Sequence, residues 1–273
     1  MKFSVLMSVY AGDIKEHFEK ALESVIHQTL KPNEIIIIVD GIIEHRIQNM
    51  LNEYKKKYPQ LIKIFHFKVN VGLGEAMNRG IKYCKHNVIA RMDSDDIARE
   101  KRFEKQINYL RENPEVDIVG SYISEFIDDP SYIVSIRKVP VNDRDIKRYA
   151  KRRSPFNHMT VMFKKEAILR AGNYQKFPLL EDYFLWVRLL SNKVIAHNIP
   201  ECLVYARIGN GMFNRRGGKK YFLSELKLQL VMYKMSFINL FELSTNILIR
   251  LIFRMVPTVF RARLYNWFLR EHV

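Results

Sequence analysis

The sequence predicts an α/β fold: a mostly parallel β-sheet flanked by helices, followed by a helical C-terminal extension. Three observations carry this. Strand-length apolar runs alternate with amphipathic stretches through the first third of the chain. Glu34 to Val39 is a near-continuous β-branched run, the pattern of a strand covered on both faces. Three such runs end in polar residues, at Tyr10, at Asp40 and at Asp93-Ser94-Asp95-Asp96. Ligands of open α/β sheets sit beyond the carboxyl ends of the strands, so these three ends should converge on one crevice.

The elements follow in order. Phe3 to Val9 is a strand, and His17 to Thr29 places Phe18, Ala21, Leu22, Val25 and Ile26 on one helical stripe. Pro32 and Asn33 punctuate before the second strand. Ile47, Met50, Leu51 and Tyr54 then recur at helical spacing, and the run Lys55-Lys56-Lys57 is a solvated helix face. Leu61 to Phe67 is a strand, Asn70-Val71-Gly72 a turn, Gly74 to Lys85 a helix and Asn87 to Met92 the strand that delivers the acidic cluster. A helix is expected from near Ala98 through Arg111. Beyond it Val116 to Phe126 and Tyr132 to Val139 are longer and partly alternating, more antiparallel in character. A short strand at Thr160 to Phe163 and a helix at Leu180 to Leu190 complete the pattern.

A chain of 273 residues suits one large α/β domain with an appendage, and its 48% hydrophobic content is globular. Cys84 and Cys202 lack metal-ligand spacing and offer no disulfide framework, as expected of reduced thiols in the cytoplasm. The net charge of +16 points to nucleic acid, anionic lipid or nucleotide diphosphates. The basic residues lack interleaved stacking aromatics at the spacing of a nucleic-acid module, so no nucleic-acid partner is expected. A dinucleotide-dependent oxidoreductase is also disfavoured. Gly72-Leu73-Gly74 resembles part of a glycine fingerprint, but Met77 stands where the third glycine belongs.

Three carboxylates in four residues at a strand end make a hard-cation site, because Mg²⁺ and Mn²⁺ take oxygen ligands from carboxylates, phosphates and water. A solvated acidic turn capping the next helix is the plain alternative. Glu181 and Asp182 invite the same two readings, since acidic side chains in a first turn complement the helix dipole by roughly 0.3–1 kcal/mol. Trp186 follows on the same helix as either core or an acceptor platform. His66, His86 and His197 have no partners at ligand spacing and are ordinary structural or surface residues.

Taken in order, these motifs resemble the inverting family 2 glycosyltransferases. The resemblance rests on Ser4 to Tyr10, Gln28 to Ile35, Val39-Asp40-Gly41, Asn70 to Gly74 with Ala76, Asn78 and Gly80, Arg91 to Asp96, His158, and Glu181-Asp182-Tyr183. It covers about residues 3 to 217 and is nearest to the branch that assembles bacterial capsule, exopolysaccharide and lipopolysaccharide. It implies a GT-A fold and a nucleotide-sugar site built by Val9, Tyr10, Asp40, Asn70, Gly72, Asn78, Arg91, Asp93, Ser94 and Asp95. Within it Val9, Tyr10 and Asp40 would hold the nucleobase. It also implies an Asp-x-Asp metal site of Asp93 and Asp95 with Asp96 beside them, loaded with Mg²⁺ or Mn²⁺. Asp182 would be the catalytic base, with Glu181 and Trp186 on the acceptor. Two departures stand out. A single Asp40 follows Val39 where many relatives carry two aspartates, and Tyr205-Ala206-Arg207-Ile208-Gly209 replaces a Tyr-Arg-x-His segment.

The expected domain division is a catalytic unit over 1–218 and a basic amphipathic extension over 219–273. Ile247 to Val256 is apolar but interrupted by Arg250 and Arg254, four residues apart on one helical face. That is too short to span a bilayer, which takes roughly 20 apolar residues. A basic face opposite an apolar one favours lying on an anionic membrane surface, with both arginines on lipid headgroups. Tyr265, Trp267 and Phe268 beside Arg261, Arg263 and Arg270 extend the pattern. The alternative is a helical pair packed on the catalytic domain or on a second subunit of a homo-oligomer. The enzyme is thus expected in the cytoplasm, peripheral on the inner face of the plasma membrane, facing a saccharide acceptor carried on a polyprenyl diphosphate.

Overall fold

A computed structural model describes residues 1–209 and 218–255. The elements run β1 (Phe3–Tyr10), α1 (Lys15–Ile26), β2 (Glu34–Asp40), α2 (His45–Lys57), β3 (Ile62–Phe67), α3 (Leu73–Tyr83), β4 (Val88–Arg91), β5 (Ile97–Ala98), α4 (Arg102–Glu112), β6 (Ile118–Phe126) and β7 (Ser135–Arg137). They continue with α5 (Asp143–Ala150), a 3₁₀ turn (His158–Thr160), β8 (Met162–Lys164), α6 (Lys165–Arg170), α7 (Glu181–Ser191), β9 (Ala196–Arg207), α8 (Gly218–Lys234) and α9 (Leu240–Met255).

One sheet runs in the order β3-β2-β1-β4-β8-β6-β9-β5, with β7 on β6. Its first four strands are mutually parallel. Because side chains alternate across a strand, β1 and β2 split the core into two layers. Val5, Met7, Val9, Ile35, Ile37 and Val39 pack with α1, α2 and α4 on one face. Leu6, Ile36 and Ile38 pack with α3, α6 and α7 on the other. Every residue of β2 is buried, as its unbroken β-branched run requires.

The second half departs from expectation in identifiable places. The helix expected from Ala98 begins at Arg102, because Ile97 and Ala98 pair antiparallel with Tyr205 and Val204 as β5. The segment expected as one strand from Thr160 divides into the 3₁₀ turn and β8, and the strand expected over Tyr132 to Val139 shrinks to β7. The longest strand, β9, lacks a clean sequence signature. Pro200 interrupts it, and its parallel register with β6 slips where Ser121 faces Ile199 and Tyr122 faces Cys202.

At the C-terminal end, Leu228, Met232, Ile238 and Leu243 close a third apolar cluster with Phe177, Tyr183 and Val187, so α8 and α9 are packed on α7. Arg250 is thereby turned away from where it was expected. Only 13% of its side chain is exposed, its Nε lies 3.6 Å from the Glu225 carboxylate, and Nη2 donates to the Arg152 carbonyl at 2.8 Å. It faces the protein rather than lipid headgroups. The Arg254 side chain, Arg261, Arg263, Tyr265, Trp267, Phe268 and Arg270, expected on the membrane surface, lie outside the described residues. Among the described residues no helix is long and apolar enough to cross a membrane.

Candidate active site

The parallel strands deliver their carboxyl ends side by side, with Tyr10 in register with Asp40 and Leu6 with Arg91. Asp40 is buried at the end of β2. Its Oδ1 accepts from the Val71 N–H at 2.7 Å and its Oδ2 from the Gly72 N–H at 2.9 Å, while the Asn70 amide donates to its carbonyl at 3.2 Å. The carboxylate therefore fixes the turn that enters α3. Gly41 lets this turn approach: its φ is +87°, and a Cβ there would stand 2.7 Å from the Asn70 nitrogen.

The loop after β1 folds over the acidic cluster. The Tyr10 N–H donates to Asp13 Oδ2 at 2.8 Å, and Asp13 Oδ1 accepts from the Ser94 hydroxyl at 2.7 Å. Burial pushes the Asp13 carboxyl up, opposed by those two hydrogen bonds. The Tyr10 ring stays exposed at the mouth of the crevice.

Asp93, Asp95 and Asp96 each offer a carboxylate oxygen within 4.8 Å of the other two. The first two are half-buried and Asp96 is buried. The Arg207 N–H donates to Asp96 Oδ1 at 2.7 Å, and Arg207 Nε to the Asp95 carbonyl at 3.2 Å. Among the described residues, Asp96 Oδ2 has no hydrogen-bond partner. Burial first, and then repulsion from Asp95, holds the Asp96 carboxyl well above the usual carboxylate range. An orphaned buried carboxylate oxygen beside two further carboxylates is a donor set suited to a hard divalent cation, so these residues fit Mg²⁺ or Mn²⁺.

Behind the cluster stands Arg91, buried and ion-paired to Asp93. Its carbonyl accepts from the fully buried Arg102 at 2.6 Å, and among the described residues its Nε and Nη1 have no partner. Burial lowers its pKa, while Tyr174, Asp96, Asp182 and Asp95 act the other way, so the guanidinium lies in the field of the acidic loop and of the start of α7 at once. His158 completes this wall: its Nε2 is 2.7 Å from the Tyr174 hydroxyl, and burial, aided by Arg91, lowers its pKa so that the ring stays neutral.

Adjoining the wall through Trp186, α7 opens with Glu181 and Asp182 and has no side-chain cap at Leu180. Glu181 lies against the first turn of α3, where a Cβ on Gly74 would meet its Cγ at 2.9 Å. Burial raises the Glu181 carboxyl, and the charge of Asp182 adds to the shift.

Most expected residues thus gather at one edge. Tyr10, Asp40, Asn70 and Gly72 stand on one side, Arg91 and Asp93 to Asp96 in the middle, and Glu181 and Asp182 at α7. Three do not serve as expected. The Val9 side chain is buried in the core, leaving only its main chain for a base. The Asn78 amide is engaged by the 173–174 turn, donating to the Tyr174 carbonyl at 2.9 Å and accepting from Asn173 at 2.9 Å. Trp186 is 0% exposed, edge-on to Phe156 and His158, so it is core and not an acceptor platform. Sequence reading passed over Asp13, Tyr174 and the role of Arg207. Asp13, three residues beyond β1, belongs to none of the motifs read from the sequence. Arg207 joins the site through the pairing of β9, which its sequence does not announce.

The model of the family described as Glycosyl transferase family 2 matches residues 4–175. An Escherichia coli UDP-Gal:alpha-D-GlcNAc-diphosphoundecaprenol beta-1,3-galactosyltransferase is 39% identical over 270 residues, covering 99% of this chain and 97% of that protein. The amylovoran biosynthesis glycosyltransferase AmsE of Erwinia amylovora is 36% identical over 264 residues, covering 97% of this chain and 98% of its own length. Among solved structures, S. aureus TarS 1-349 in complex with UDP-GlcNAc superposes with a TM-score of 0.66 at 13% identity, over 98% of this chain and 74% of that one. The mannosyltransferase PcManGT from Pyrobaculum calidifontis, in complex with GDP-Man and Mn²⁺, gives 0.59 at 13% identity, over 97% and 80%. The chain belongs to glycosyl transferase family 2 and is a glycosyltransferase of GT-A fold.

Proposed function

We propose that the protein is a metal-dependent inverting glycosyltransferase that moves a sugar from a UDP-linked donor to a hydroxyl of a polyprenyl-diphosphate-linked saccharide, in bacterial surface polysaccharide assembly. The observation that carries this reading is the cluster of Asp93, Asp95 and Asp96 carboxylates, within 4.8 Å of one another at the strand ends and backed by the buried Arg91. The likeness to a relative named for UDP-Gal and a diphosphoundecaprenol acceptor supports the donor and acceptor classes.

In this reading the base rests between Tyr10 and the turn held by Asp40, whose carboxylate oxygens keep lone pairs for a base N–H. Asp93, Asp95 and Asp96 would hold Mg²⁺ or Mn²⁺, which as a Lewis acid supplies stabilisation of charge developing on a phosphate oxygen. Asp182 accepts the acceptor hydroxyl proton as the new oxygen–C1 bond forms. The C1–phosphate oxygen bond breaks in the same step, and its electron pair leaves on the nucleoside diphosphate. Attack from the side opposite the leaving group inverts C1, so an α-linked donor yields a β-glycoside. Glu181, beside Gly74, orients acceptor hydroxyls. The enzyme works in the cytoplasm, peripheral on the inner face of the plasma membrane, where a lipid-linked acceptor is presented.

The test is a screen of nucleotide sugars for hydrolysis and for transfer to a diphospholipid-linked N-acetylhexosamine, with Mn²⁺, with Mg²⁺ and with chelator. Transfer from a UDP-sugar that chelator abolishes supports the reading. Transfer that persists at full rate in chelator contradicts the metal assignment, and none from any UDP-sugar contradicts the donor.

A further inference from the structure

The C-terminal helix pair carries apolar side chains outside as well as within. In α9, Leu243, Asn246 and Arg250 turn inward, whereas Phe241, Leu248 and Leu251 turn outward. Phe241 is 77% exposed and Leu248 58%. The polar side chains sit between the helices: the buried Asn246 amide donates to Gln229 Oε1 at 2.8 Å and to the Lys151 carbonyl at 2.8 Å. The last turns of α8 add exposed Leu230 and Tyr233, and the first residue of α9 adds exposed Leu240. A helix pair whose outer face meets water is apolar within and polar without. Exposed apolar residues singly are ordinary, but a run of them along one outward face is a contact surface.

The charges beside this face favour one occupant. Lys151 pairs with Glu242, and Arg250 holds the Arg152 carbonyl, so the exposed basic pair Arg152-Arg153 flanks α9. No acidic side chain is exposed on the described part of α9; Glu242 is half-buried against Lys151. A second copy would bring a second +16 charge against the first, whereas an anionic bilayer answers both the cations and the apolar residues.

We infer that the outward face of α9, centred on Phe241 and Leu248 and flanked by Arg152 and Arg153, inserts into the interface of an anionic membrane, while Arg250 serves as an inward anchor. This deepens the proposed placement on the membrane and rests on it. It reverses the assignment made from sequence, in which Arg250 met the headgroups.

The test is flotation of the full chain on vesicles of phosphatidylcholine with and without phosphatidylglycerol. Wild type is compared with F241E/L248E, with R152Q/R153Q and with R250Q, using UDP binding as the control for fold. Wild type floats with the anionic vesicles. F241E/L248E loses the floated fraction by about tenfold or more while still binding UDP, because each introduced carboxylate opposes both burial and lipid charge. R152Q/R153Q floats less and only at low salt, and R250Q floats as wild type does. If F241E/L248E floats like wild type, or R250Q loses flotation while binding UDP, the assigned face is wrong although membrane binding stands. If wild type does not float, the membrane placement itself fails. A wild-type dimer in light scattering that F241E/L248E dissociates would make this face a contact between copies and overturn the inference.

Discussion

Asp13 and Ser94 join the two loops that frame the acidic cluster. The Ser94 hydroxyl donates to Asp13 Oδ1 at 2.7 Å, while Asp13 Oδ2 takes the Tyr10 N–H. One carboxylate thereby ties the end of β1, where a base would stack, to the residue between the two half-buried aspartates. Sequence places these residues far apart; the adjacency of β1 and β4 brings them together.

Asp13→Ala should therefore weaken UDP binding in the presence of Mn²⁺ by about tenfold or more, since hydrogen bonds to charged groups contribute roughly 1.5–3 kcal/mol. Titration calorimetry measures it. An affinity equal to wild type would mean that the link does not shape the donor site.

Asp40→Asn should destabilise the fold by about 1–3 kcal/mol, because an amide offers one acceptor oxygen where Val71 and Gly72 present two N–H donors. For a chain of this size each kcal/mol lowers the melting temperature by about 2–4 °C. An unchanged melting curve would show that the turn into α3 holds itself.

Much of this was legible in the sequence, for a physical reason. Strands β1, β2 and β4 are buried on both faces, so their composition declares them, and the rule that ligands meet strand ends then locates Tyr10, Asp40 and Asp93 to Asp96. What was not legible depends on pairing at a distance. Arg207 reaches Asp96 only because β9 lies beside β6 and β5, a register interrupted at Pro200. Arg250 looked like a headgroup ligand because the helical period fixes which residues share a face but not which way that face points. Trp186 carried the same ambiguity.

Trp186→Ala should cost about 3–5 kcal/mol of stability, the range for truncating a large buried aromatic. Chemical denaturation measures this, and the milder Trp186→Phe should leave acceptor KM near its wild-type value. A raised acceptor KM in a Phe variant of wild-type stability would restore the platform role.

Glu34 supplies a pH dependence. It is buried; burial would raise its carboxyl, but hydrogen bonds from Lys63, the Lys85 N–H and Ser4 outweigh this and lower it below its ordinary 4.5. A depressed folded pKa contributes stability that is present above 4.5 and lost as pH falls through the lower folded value. Wild type should thus lose denaturation free energy in that acid window more steeply than Glu34→Gln. Parallel acid-stability curves for the two proteins would assign the loss elsewhere.

The central claim is that Asp182 takes the acceptor proton at a site whose donor is held independently by the β1, β2 and β4 ends. The measurement is single-turnover transfer by Asp182→Asn beside Mn²⁺-dependent UDP binding by the same protein. The account predicts a rate about 10²-fold or more below wild type, the order expected for a lost general base, with UDP affinity unchanged. Transfer at the wild-type rate would contradict it, leaving Asp182 as a helix-start residue that complements the dipole of α7.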